Sequence, residues 1–134
     1  MISEIELEEK MSNTSKIALD NVIIAEFEKL NTKKFVNSGI LNYLYVNNNN
    51  YEVWCEPHEL SYDKDWNWLM KVVDKINTMD NYKFSVNIHY HFTTITNNFT
   101  LMDIVDEGID HDTKTSCYRA VVEFIKKYNN KNNG

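Results

Sequence analysis

The chain has one proline and three glycines among 134 residues. Gly39, Gly108 and Gly134 lie too far apart to build a glycine-rich phosphate loop, and no Gly-x-Ser-x-Gly elbow occurs. Cysteine is scarce too. Cys55 and Cys117 are the only two, and neither stands in a Cys-His nucleophile arrangement. Without an export signal they read as buried free thiols rather than a disulfide. Positive charge is short: 14 Lys and Arg face 20 Asp and Glu, a net charge of −6. A general DNA or RNA binder needs a basic footprint to displace counterions from phosphates, so that class is excluded. An acidic protein can still meet a basic surface on another protein. No apolar run approaches the roughly 20 residues of a membrane span, and the start MISEIELEEK lacks the apolar core of a signal peptide. No membrane association is expected.

Aromatics are what the chain has in plenty: eight Tyr, six Phe and three Trp. They supply large contact area to a core or to a partner. The length suits one domain, expected over residues 14–129, with an acidic lead-in over 1–13 and a disordered tail over 130–134. Leu19, Val22, Ile23, Phe27 and Leu30 form a helical stripe, predicting a helix over residues 14–30. Leu41–Val46 and Tyr51–Cys55 read as a β-hairpin joined through asparagines, which tolerate positive φ. A second helix is expected over residues 64–78, capped by Asp63 or Asp65, with Leu69, Val72, Val73 and Ile76 as its buried stripe. From Tyr82 to Phe92, aromatic and aliphatic residues alternate with Lys83, Ser85, Asn87, His89 and His91, predicting one long strand with a polar face. One or two further strands fit between Thr93 and Val105, turning at Asn97-Asn98. A charged connection, Asp106 to Asp112, leads to a last helix over residues 113–128 with Tyr118, Val121, Val122, Phe124 and Ile125. The expected fold is α/β of the α+β type: a mainly antiparallel sheet carrying three helices in a layered α-β-α sandwich.

The segment YDKDWNWLMKVVDKI, with IAEF at Ile24–Phe27 and AVVEFIKKYN at Ala120–Asn129, resembles the phage ABA sandwich domain family. Lys71 stands where that family usually has a proline, and Lys127 where it has a tryptophan. The resemblance implies a layered helix–sheet–helix fold and a phage or prophage gene acting in a bacterial host cytoplasm. It carries no catalytic residue over. Small phage accessory proteins often counter host defences, by sequestering a nucleotide signal or by binding a defence protein.

Several residue sets could carry chemistry. Cys55, His58, His89 and His91 could form a four-ligand zinc site, but a Cys-x-x-His spacing arises easily by chance, and the surface-histidine reading is preferred. No metal and no cofactor are expected. His91-Phe92-Thr93 matches half of a two-histidine phosphoesterase signature, and the second copy is missing. Asp103, Asp106, Glu107, Asp110 and Asp112 match no calcium loop and read as a solvated connection. Tyr62, Trp66 and Trp68 cluster at a capped helix start, where free N–H groups attract a phosphate and a ring can stack on a base. The alternative places at least one of these tryptophans in the core. The polar strand face is solvated, lines a pocket or meets a second subunit. The expected ligand site is therefore Tyr62, Trp66, Trp68, Lys83, Asn87, His89 and His91. The expectation is a non-enzymatic binding protein, a homo-oligomer, that sequesters a nucleotide immune signal, linear or cyclic, in counter-defence. An inhibitor of a host defence protein, or a structural accessory, is the alternative. A metal-dependent or two-histidine phosphoesterase is third.

Overall fold

A computed structural model describes residues 4–47, 49–106 and 112–133, with side chains described from Lys16 onward except at 48, 106–111 and 132–134. The class is α+β: among the described residues, three α-helices accompany two separate three-stranded antiparallel sheets, where a single sheet was expected. Contacts divide the chain into two compact units, one ending at Ser61 and the other beginning at Tyr62.

The N-terminal unit opens with α1 (Glu4–Phe27), which extends through the expected lead-in. Its buried face carries Asp20, Asn21, Ile24 and Ala25, whereas Leu19 is exposed and Val22 and Ile23 are half-buried. The expected stripe is thus rotated by about one residue, or roughly 100°. Apolar residues surround this helix on most sides, so their period does not single out one face. Asn21 tolerates burial because its Nδ2 donates to the Leu60 carbonyl at 2.9 Å. The helix ends in paired C-terminal bonds, Lys29 N–H to Glu26 O at 3.0 Å and Leu30 N–H to Ala25 O at 3.1 Å, with Lys29 at φ 58°.

Strand β1 (Thr32–Lys34) follows and had no sequence signal. It pairs antiparallel with β2 (Leu41–Val46), which pairs antiparallel with β3 (Glu52–Cys55). The expected asparagine hairpin is present. Asn47 Oδ1 accepts from the amides of Asn49 and Tyr51, both at 2.9 Å, and Asn50 takes φ 61°. A 3-10 turn (Pro57–Glu59) closes the unit, starting at the lone proline.

The C-terminal unit begins with α2 (Trp66–Tyr82). Asp65 caps it by accepting from the Asn67 amide at 2.8 Å, and the expected residues Leu69, Val72, Val73 and Ile76 are buried. The right-handed helix stops near Thr78. Met79 is extended, and Asp80, Asn81 and Tyr82 follow at φ 50°, 59° and 60°, one left-handed turn. Asn98 clasps this turn: its Nδ2 donates to Tyr82 O at 2.8 Å and its amide to Lys83 O at 2.7 Å.

Strands β4 (Phe84–Ile88), β5 (Thr93–Asn97) and β6 (Met102–Asp106) form the second sheet in that order. The long strand expected over 82–92 is therefore corrected. Tyr82 belongs to the left-handed turn, and the His89 amide donates to Phe92 O at 2.8 Å, so Tyr90 and His91 form a tight hairpin turn. Tyr and His suit strands well enough that alternation runs through the turn without a break. Phe84, Ile95 and Val105 are buried on one sheet face, against α2 and α3. The other face carries Ser85, Asn87, Thr94, Thr96 and Asp103.

Helix α3 (Thr113–Asn133) continues through most of the tail expected to be disordered. No proline or glycine stops it before Gly134. Its expected apolar residues Tyr118, Val121, Val122, Phe124 and Ile125 are all buried, and Phe124 meets Phe84 edge-on with ring centroids 4.8 Å apart. Asp112 caps α3, its Oδ1 accepting from the Thr115 amide at 2.8 Å. The Glu107 and Asp110 of the expected acidic connection lie outside the described residues.

Candidate functional site

The residues singled out in the C-terminal unit separate into four environments. Tyr62 is fully buried and meets Trp68 edge-on at 5.1 Å, with Trp68 half-buried. Tyr62 anchors the start of α2 in the core, and Trp68 packs against it. Asn87 is tied to its own sheet: its Nδ2 reaches the hydroxyls of Thr94 at 3.2 Å and Thr96 at 3.0 Å. Thr96 in turn donates to Asp103 Oδ1 at 2.8 Å. This ladder holds together the polar face that the alternation predicted. Lys83 sits before β4 with its Nζ over the Phe84 ring, 5.5 Å from the centroid. His89 and His91 follow the other end of that strand, with His89 roughly 20 Å from Lys83 at about 3.3 Å per residue.

Trp66, His89 and His91 remain as exposed groups. Trp66 is the first residue of α2 and is 37% exposed. His89 stacks on Phe92 with centroids 4.3 Å apart, and His91 packs against Tyr90, itself 78% exposed. The first turn of α3 ties their elements together. Thr113 Oγ1 donates to the Tyr90 carbonyl, and Ser116 Oγ donates to the His91 carbonyl at 2.8 Å. Lys114 Nζ donates to the Lys64 carbonyl, two residues before Trp66, at 2.8 Å. Thr113, Lys114 and Ser116 had not been singled out from the sequence. The acid-then-Thr/Ser texture at Asp112–Ser116 signals a cap but not which loops the side chains hold.

The helix starts themselves are occupied. The Asp65 and Asp112 carboxylates already accept from the N–H groups at the beginnings of α2 and α3. Hydrogen bonds from the Thr115 amide and then its hydroxyl hold the Asp112 carboxyl below its ordinary value. A phosphate would have to displace a carboxylate to use either terminus.

The metal and phosphoesterase sets fare differently. Among the described residues, the one group of three candidate ligands whose atoms lie within 4.8 Å of one another is Glu56, His58 and Glu59. It includes none of Cys55, His89 or His91. Glu56 and Glu59 are engaged as a reciprocal cap on the 3-10 turn, and His58 Nδ1 lies 3.5 Å from Glu56 Oε2. Cys55 and Cys117 are both free and buried. Burial pushes the Cys117 thiol up to about 12 and also raises that of Cys55, leaving both poor nucleophiles. In the His-x-Thr segment, His91 is exposed while Thr93 is fully buried, its hydroxyl without a hydrogen-bond partner. The two side chains do not share a surface as a catalytic motif would require.

No helix among the described residues is long and apolar enough to cross a membrane. No family model, curated protein or solved structure matches the chain.

Proposed function

We propose that this chain is a non-enzymatic binding protein that holds a small nucleotide by its base at the end of the C-terminal unit bearing Trp66, His89, Tyr90 and His91. The observation that carries the reading is that these exposed rings stand on two elements pinned by one helix turn, at Tyr90 O, His91 O and Lys64 O. A pinned aromatic surface loses little freedom when a planar group stacks on it. The base does the recognition, because the helix N–H groups are already used by Asp65 and Asp112. His89, His91 and exposed Lys64 supply donors for the phosphate. The resemblance of the W-N-W-L-M helix to the phage family supports a counter-defence setting in a bacterial cytoplasm, with the nucleotide being an immune signal.

Thermal shift and calorimetry with linear and cyclic nucleotides test this, followed by chromatography of the released ligand. Trp66→Ala should weaken binding about 5- to 150-fold, the worth of one stacked base at ~1–3 kcal/mol. Intact ligand on release supports sequestration, and an altered product supports an enzyme. Binding that is unchanged by Trp66→Ala, or absent for every nucleotide, removes the reading.

The host-protein reading has its own observation. Tyr82, Phe99, Leu101 and Met102 are all exposed around the β5–β6 turn, beyond the far end of β4 from the histidines. Exposed apolar groups on a fixed turn suit a protein partner better than a nucleotide.

A further inference from the structure

The edges of the N-terminal sheet are chemically unlike each other. β2 is central, so β1 and β3 each leave one side open. The Asn47 amide donates to Tyr51 O at 3.0 Å, which sets the phase of the ladder on β3. Val53 and Cys55 then face β2, and the amides and carbonyls of Glu52 and Trp54 point outward. On β1 the phase comes from Leu44 N–H to Asn31 O at 2.8 Å and Phe35 N–H to Ile40 O at 3.4 Å. Lys33 faces β2 there, and the backbone groups of Thr32 and Lys34 point outward. Thr32, Lys33, Lys34, Glu52, Val53 and Trp54 are all exposed.

The charges on these edges are opposite and level. Lys33 pairs with Asn42, and Tyr43 pairs with Cys55, so Asn42 lies level with Glu56. Lys33 and Glu56 therefore occupy the same level on opposite edges. β1 and β3 are also parallel to each other, since both run antiparallel to β2.

We propose that a second copy of this chain continues the N-terminal sheet, its β1 lying parallel on the β3 edge of the first. This places Lys33 against Glu56 at each junction. The two self-paired alternatives bring like charges together: Glu52 with Glu56 across a β3–β3 contact, and lysines with lysines across β1–β1. Opposite edges joined head to tail form a heterologous contact, which propagates beyond two copies unless a ring closes. The inference is independent of the nucleotide reading, which uses only the C-terminal unit.

Sedimentation velocity on the full chain over a concentration series tests it, at low and high ionic strength. The unaltered chain should grow past a dimer at low ionic strength and return to monomer at high ionic strength. Lys33→Glu alone and Glu56→Lys alone should each weaken association by roughly tenfold or more. The double variant, with the charges exchanged, should recover to within about twofold of the original. Glu56 also caps the 3-10 turn, so if Glu56→Lys melts early by circular dichroism, Glu52→Pro, which removes an outward amide of β3, replaces it and should abolish association. A monomer at every concentration overturns the proposal. So does association that stops at a dimer and ignores the single charge reversals, or a double variant no better than the singles.

Discussion

The two sheets are alike in strand number and direction but differ in how their edges are finished. In the C-terminal sheet each outer strand is met by a side chain. Asn77 Oδ1 accepts from the Val86 amide of β4 at 2.8 Å, and Lys127 Nζ donates to the Ile104 carbonyl of β6 at 2.9 Å. Helix residues thus occupy backbone groups that would otherwise pair with another chain. In the N-terminal sheet, no comparable side-chain bond reaches the outward backbone groups of β1 or β3 among the described residues. Val53 and Trp54 on β3, and Tyr51 just before it, are exposed as well. A sheet can be closed by side chains from adjoining helices, as Asn77 and Lys127 show, or left open with charges that select what approaches.

The largest break in this comparison should come from the aromatic core of the closed sheet. Phe124→Ala removes a buried ring that stacks on Tyr128 and meets Phe84 edge-on, and should cost about 3–5 kcal/mol of stability in a denaturant titration. Hydrogen exchange should show the loss in β4–β6, with β2–β3 the less affected. A smaller effect tests the edge itself. Asn77→Ala frees the Val86 amide and should cost roughly 0.5–1.5 kcal/mol, with added aggregation on heating seen by light scattering. The smallest is a pH effect at Asp112. Its folded carboxyl is held below the ordinary value, so the unfolded chain binds more protons in that window. The cap's contribution is fully present above the unfolded carboxyl value and disappears as pH falls through the lowered one. Asp112→Asn should flatten the acid side of the stability curve while leaving its neutral part nearly unchanged, as followed by thermal melts.

Much of the fold was legible because it depends on period. The stripes of α2 and α3 and the asparagine hairpin needed only spacing and turn chemistry. The stripe of α1 was misplaced because Ile17, Leu19, Val22, Ile23 and Ile24 leave no clean polar side. β1 is three polar residues long, too short for alternation to register. Which strands pair is decided by contacts distant in sequence, so two sheets could not be told from one. Trp66, His89 and His91 were reachable as exposed residues, since each breaks or escapes an apolar stripe. Tyr62 and Asn87 were not: an aromatic in a polar stretch and an amide on a polar face look available until their neighbours are known. The edge charges were hidden for a different reason, because the level of Lys33 with Glu56 exists only after the register is set.

The left-handed turn at Asp80–Tyr82 also acts as a ruler for α2. A right-handed helix cannot propagate through three residues of the opposite hand, so its length is measured from the cap at Asp65 to the reversal, not by its surroundings. One residue inserted before Met79 would rotate everything after it by about 100° relative to the buried stripe. Asn98 would then have to choose between clasping the turn and keeping β5 in register with β4.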